Sequence, residues 1–298
     1  MSNHWLSRIF VAFGLVVAAV PGHAQSAIYV FGDSYSDVGN DYFVSSAAGD
    51  PTPLSPPYYM GRFSDGPLWI EHVASAHGIT LTPSEEGGTD YAFGGAELLA
   101  PVPTPLGPIP SVEQQVGEYL EAHGGKADPH ALYVLTGGGN DILNAIGTGV
   151  SPVTLGAEIG TTLGGLELVL RAAGARHFLL PNLLNVGLLP AAAADPEFAK
   201  QASLAANAVL QKLGRSPLYA SGVDLAQPDV YLLFATIVQF PRFFGFTNVV
   251  TPCLNATALT ICSDPVQTLW WDVEHPTELA EWYLAFLAEA SLPGRRNW

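Results

Sequence analysis

Charge is scarce in this chain of 298 residues, and positive charge is scarcest: 13% of residues are charged, with 11 Lys and Arg against 27 Asp and Glu. The formal net charge of −16 repels nucleic-acid phosphates and anionic lipid surfaces. No nucleic-acid partner is expected, and the acidity reads as solubility outside the cell. Cysteine is limited to Cys253 and Cys262, and no Cys/His group has the spacing of a zinc site, so neither a metal nor another cofactor is expected. The glycine run Gly137–Gly139 is not followed by a lysine, which disfavours a phosphate-binding loop. Beyond residue 24, no stretch reads as apolar for long enough to cross a membrane.

The first residues form a leader. Arg8 stands without an acid before the short apolar run Ile9 to Val20, Pro21 breaks it, and Gly22-His23-Ala24 offers the small residues that a signal peptidase reads. Cleavage after Ala24 is expected, leaving residues 25–298 as one catalytic domain in the periplasm or outside the cell. In an exported protein a lone close cysteine pair predicts a Cys253–Cys262 disulfide. It would stabilise by about 2–3 kcal/mol on the loop-entropy account.

After the leader, strand-like and helix-like segments alternate. Strands are predicted at Ala27 to Phe31, Ala131 to Thr136 and Arg176 to Leu180. Residues 41–63, rich in Pro, Ser, Gly and Tyr, read as a long surface loop, and Pro101 to Pro110 as a stiff extended connection. Helices are predicted from Ser64 to His77, from Ser111 with a capping box to Gln114, from Ser151-Pro152 to about Ala173 (weakened by its glycines), and over Ala191 to Leu213. Tyr231 to Phe240 is ambiguous. A last helix, Thr277 to Ala290, is expected to pack through Leu279, Trp282, Tyr283 and Phe286. The alternation implies a mostly parallel sheet covered on both faces.

Four blocks carry chemistry. Gly32-Asp33-Ser34 follows the first strand, where a serine can present its hydroxyl and its own N–H beyond the carboxyl end of the sheet. As a lone feature it would equally be an ordinary turn. Gly94-Gly95 allows close backbone approach. Gly137-Gly138-Gly139-Asn140-Asp141 places an amide donor after another strand. Of the six histidines beyond the leader, His72, His77, His123, His130, His177 and His275, only His275 has an Asp three residues before it. In a tight turn that spacing sets Asp272 on one ring nitrogen and frees the other for Ser34. Glu274 is a poorer acid because it adjoins His275 and would point away.

Together, and in this order, these blocks resemble the GDSL or SGNH hydrolases. Gly32-Asp33-Ser34 is similar to the family's first block, with Tyr35 where Leu is more usual; Gly95 matches the second, Gly138-x-Asn140-Asp141 the third and Asp272-x-x-His275-Pro276 the last. Residues 55–69, 87–96 and 110–116 resemble the bacterial and plant lipase/esterase branch. The resemblance implies a flavodoxin-like three-layer α/β/α sandwich and a Ser34–His275–Asp272 triad. It also implies an oxyanion hole from the Ser34 N–H, a glycine N–H (Gly95, with Gly94 open) and the Asn140 amide. The Gly-x-Ser-x-Gly elbow of α/β-hydrolases is absent. Residues 141–151 are similar to passenger domains of bacterial autotransporter esterases, but after the Asp272-x-x-His275 block only one helix is read before Trp298. No translocating barrel is expected, nor an integral membrane segment after signal cleavage.

Three functions follow. The first is hydrolysis of simple carboxylic esters through an acyl-enzyme. The second is a lipid enzyme on the same site, a phospholipase or acyltransferase, with Tyr58 and Tyr59 available to lipid. A carbohydrate deacetylase is a separate alternative on the same site, with Trp69, Trp270 and Trp271 to stack on sugars. The third, a non-catalytic binding protein, is disfavoured because no triad position is substituted. The substrate is thus a small-molecule or lipid ester; acyl length, alcohol and oligomeric state stay open.

Overall fold

A computed structural model describes residues 26–216 and 222–293. The expected leader, residues 1–24, lies outside the described residues.

The centre is a parallel sheet of β1 (Ile28–Phe31), β2 (Leu132–Leu135), β3 (His177–Leu179) and β4 (Asp224–Ala226), in that spatial order. Val30, Val134 and Leu179 and their neighbours are buried, which is why these strands read as unbroken apolar runs. A further chain segment flanks β1 on its other side: Val30 N–H donates to Thr89 O and Tyr91 N–H to Val30 O. In chain order the five segments therefore lie 2-1-3-4-5, the flavodoxin-like arrangement, with its switch point between β1 and β2.

Helices cover both faces, giving the three-layer α/β/α sandwich. The sequence places α1 at Asn40–Ala47, α2 at Trp69–Ala76, α3 at Val112–Ala122 and α4 at Gly139–Ala145. Then follow α5 (Pro152–Ala173), α6 (Pro196–Gly214), α7 (Val230–Gln239) and α8 (Glu278–Ser291). One layer contains α2, α7 and α8, the other α3, α5 and α6. The capping box on α3 forms as expected: Gln114 N–H donates to Ser111 Oγ and Ser111 N–H to Gln114 Oε1.

Several local expectations are corrected. The segment 41–63 is not all loop, because Asp37 accepts the N–H groups of Gly39, Asn40 and Asp41 and so starts α1. The helix expected from Ser64 begins only at Trp69. Ser64 and Asp65 are used elsewhere: Ser64 Oγ–H donates to Pro276 O, and Asp65 accepts from Glu278 N–H. Asp65 thus caps α8, while Glu281 of α8 accepts the first N–H of α2, from Trp69. Pro101 to Pro110 folds back on itself, with Val102 and Ile109 paired antiparallel. The alanines 191–194 form a 3-10 turn and not α-helix.

The glycines of α5 do not weaken it in place. A Cβ on Gly156 would collide with Ala202 O, and one on Gly160 would sit 2.6 Å from Ala206 O. Their absence lets α5 and α6 approach closely. By length and composition α5 is apolar enough to cross a membrane, which the sequence did not lead us to expect, but its glycine side is packed on α6. In α8 the buried side is Ala280, Leu284, Ala285 and Ala288, while Trp282 and Phe286 stack on each other at the surface.

Candidate active site

The site assembles beyond the carboxyl ends of β1 and β2. Gly32 leaves β1 where a Cβ would collide with Thr136 Oγ1, so a larger residue here would have to displace the Thr136 side chain at the end of β2. Gln115 of α3 grips this glycine twice, accepting its N–H at 2.8 Å and donating to its carbonyl at 2.9 Å. The turn that follows is closed by Ser36 and Asp37 N–H groups on Asp33 O. It carries Ser34, buried to 5% exposure.

Ser34 Oγ lies 2.7 Å from His275 Nε2. On the other side of the ring, Nδ1 is 2.8 Å from Asp272 Oδ2 and 2.9 Å from Oδ1. A carboxylate accepts only, so Nδ1 carries its proton and Nε2 is left to accept from Ser34. The Asp272–His275 turn is held by its own acid: Oδ1 also accepts the Glu274 and His275 N–H groups, both at 2.8 Å. Tyr35 O–H ties the turn to the nucleophile loop through Glu274 O, and the Phe63 ring lies 5.1 Å from the imidazole.

Burial alone would lower the His275 pKa, but the Asp272 charge and hydrogen bond, with Glu274 and Asp33 nearby, raise it above the usual histidine value. Burial would likewise raise Asp272, yet His275, Tyr58 and the backbone N–H groups pull it down to about 2. The pair is poised as carboxylate and base, or carboxylate and imidazolium.

The structure brings Ser34, His275 and Asp272 together, sets the Asn140 amide beside the residue that follows Gly95, and separates the two candidate glycines. Gly94 N–H is committed to Asp37 Oδ2 at 2.9 Å. Gly95, at φ +75°, has no partner on its N–H among the described residues, and neither has Ser34. Asn140 lies in the first turn of α4; its amide donates one N–H to Ala96 O at 2.9 Å, which leaves the second N–H for a ligand. His72, His77, His123, His130 and His177 are not part of this network: His77, for example, pairs with Glu289 and His177 with Asp224.

Two hollows flank the network. A depression of about 730 Å³ lies over His275 and Asp272, walled by Tyr58, Phe63 and the loop closed by the Cys253–Cys262 disulfide. A smaller one of about 90 Å³ reaches past Asp33 and Tyr35 and is lined by Leu183, Val186, Val230 and Leu284. Trp69, Trp270 and Trp271 are buried, at 1%, 0% and 2% exposure, so the sugar-stacking role considered for them is lost.

Two residues beneath the site, Asp37 and Asp90, escaped the sequence pattern. Asp37 and Asp90 are fully buried and hold the loops on which the candidate donors stand; Asp141 binds Leu98 N–H. The signal for Asp37 was present, since Asp-x-Gly-Asn is a helix-start composition. Burial raises Asp37 to about 6, Asp141 to about 6, Asp41 to about 7 (helped by Asp37) and Asp90 well above normal. A carboxyl whose folded pKa is raised stabilises the fold below its unfolded value, and that contribution is lost as pH rises through the folded value. Asp272 acts oppositely, but only below about pH 4, where its unfolded form titrates. Thermal melts should therefore show Tm falling as pH rises from about 5 through 7. A Tm that is flat or rises over that interval would contradict the burial of these acids.

The chain matches the family described as GDSL-like Lipase/Acylhydrolase over residues 28–285. It is 31% identical to the phosphatidylcholine-sterol acyltransferase of Aeromonas hydrophila over 258 residues, 85% of this chain and 73% of that protein. It is 27% identical to the thermolabile hemolysin of Vibrio parahaemolyticus, over 90% of this chain but 64% of the hemolysin, so it spans less than two thirds of that relative. A GDSL esterase/lipase of Arabidopsis thaliana is 24% identical over 89% of this chain and 86% of its own length. Taken with the fold and the ordered blocks, these matches show that the chain belongs to the GDSL-like lipase/acylhydrolase family, whose members are ester-hydrolysing enzymes.

Proposed function

We propose that the protein is an exported serine esterase that hydrolyses carboxylic acyl esters through an acyl-enzyme on Ser34. The observation that carries this reading is the Ser34 Oγ–His275 Nε2 approach of 2.7 Å, with Asp272 on the opposite ring nitrogen. His275 takes the Ser34 proton as Oγ attacks the ester carbonyl, and the resulting imidazolium is stabilised by Asp272. The carbonyl oxygen, now negative, is met by the Ser34 and Gly95 N–H groups and the free N–H of Asn140. Collapse expels the alcohol, which leaves with the proton from His275. Water then attacks the acyl-enzyme with His275 again as base, and Ser34 is regenerated.

The disulfide supports an oxidising compartment and so export. The small apolar hollow beside the nucleophile loop, lined by Leu183, Val186, Val230 and Leu284, supports a short acyl group. A second reading is acyl transfer to another alcohol, favoured by the name of the Aeromonas hydrophila relative. A panel of chromogenic esters of increasing acyl length, with a free alcohol competing against water, tests both. Hydrolysis greatest for short chains is expected; dominant transfer to the alcohol would favour the second reading, and inertness toward every ester would end the first.

Asn140→Ala should lower kcat by about 10²–10³, or about 2.7–4 kcal/mol, with little change in KM. Steady-state kinetics that showed a raised KM and an intact kcat would make Asn140 a binding residue and not an oxyanion donor.

A further inference from the structure

Asp272 receives one hydrogen bond from a side chain outside its own turn. Tyr58 O–H donates to Asp272 Oδ2 at 2.6 Å, across 214 residues of sequence. Oδ2 is also the oxygen nearest His275 Nδ1, so both donors share one carboxylate oxygen. Tyr58 is held on both sides: its ring meets Phe63 and Trp271 edge to face, with centroids at 6.2 and 6.3 Å. Its N–H donates to Leu54 O, and Ser64 nearby is bonded to Pro276 O. The segment 54–64 therefore grips the Asp272–His275 turn at three points: Tyr58 on the acid, Phe63 against the base, and Ser64 just beyond it.

Resting on the esterase reading, we infer that Tyr58 is a positioning residue that fixes the Asp272 carboxylate against His275 and limits how strongly that carboxylate holds the imidazolium. A donated O–H withdraws negative charge from Oδ2, so less is felt at Nδ1. Burial and the Asp272 charge push the Tyr58 phenol up, so it remains a donor throughout the working pH range. The other groups facing the pair are Asp33 and Glu274, which favour imidazolium, and Tyr35, whose ring lies 5.8 Å from that of His275.

Tyr58→Phe removes the O–H and keeps the ring packing. It should keep the fold and lower Tm by only a few degrees, lower kcat by about three- to tenfold, and move the acid limb of kcat/KM upward by about half a pH unit. The sign follows from the charge: an Asp272 relieved of one donor holds the proton on His275 more tightly, so the neutral base appears at higher pH. With Asp272→Asn as background, Tyr58→Phe should no longer move the limb. A low-field proton resonance from Nδ1–H should shift in Tyr58→Phe, which reports the same contact without kinetics. Should Tyr58→Phe keep the parent pH profile, kcat and resonance while Ser34→Ala abolishes activity, Tyr58 is packing only and this inference is wrong. Should Ser34→Ala remain active, the esterase reading itself has failed, whatever Tyr58 does.

Discussion

Ser34→Ala should fold as the parent does and lose about 10⁶ of its esterase kcat, keeping only the residual rate that oxyanion donors and binding supply. Ser34 is buried with its hydroxyl on His275, and the substitution removes that one oxygen only. No packing of consequence disappears with it, so circular dichroism and Tm should be close to parent. No other hydroxyl takes its place. Ser36 Oγ lies 3.4 Å from Thr136 Oγ1, under the turn, and Tyr35 O–H is committed to Glu274 O. A folded Ser34→Ala protein that kept a substantial part of its esterase rate would overturn the mechanism.

His275→Ala should be nearly as damaging, because a hydroxyl without a base is a poor nucleophile near neutral pH. The double variant Ser34→Ala/His275→Ala should be no worse than either single variant, since the two act as one unit. Additive losses would mean that they contribute separately. Asp272→Asn should be milder. Its Oδ1 also holds the Glu274 and His275 N–H groups, and an asparagine oxygen can keep those bonds while losing the counter-charge. In the parent, activity should fall at low pH through a His275 value raised above the ordinary one, because imidazolium cannot take the serine proton.

The parts of this molecule legible in its sequence are those whose cause is local. The buried strands at Ile28, Leu132 and His177, the Ser111 cap and the Asp-x-x-His turn each depend on residues within a few positions. The distant partnerships were not legible. Asp65 caps a helix that starts 213 residues later, so its local neighbours suggested a helix that begins at the wrong place. Gln115 supports Gly32 across 83 residues, and Tyr58 reaches Asp272 across 214. The glycines of α5 could be scored only as weak helix formers until Ala202 and Ala206 of α6 lay against them. In α8 both faces carry large apolar side chains, and periodicity alone does not say which one meets the sheet. The choice between Gly94 and Gly95 was similarly hidden, because it turns on which N–H Asp37 occupies.

The most direct measurement is covalent: titrate the enzyme with an alkyl phosphonate ester bearing a chromogenic leaving group, then map the adduct by peptide mass spectrometry. A nucleophilic Ser34 served by His275 should yield one adduct per chain, on the peptide containing Ser34, with esterase activity lost in proportion to labelling and no adduct on folded His275→Ala. Full inactivation with the adduct on another residue, or complete labelling of Ser34 with esterase activity retained, would contradict it.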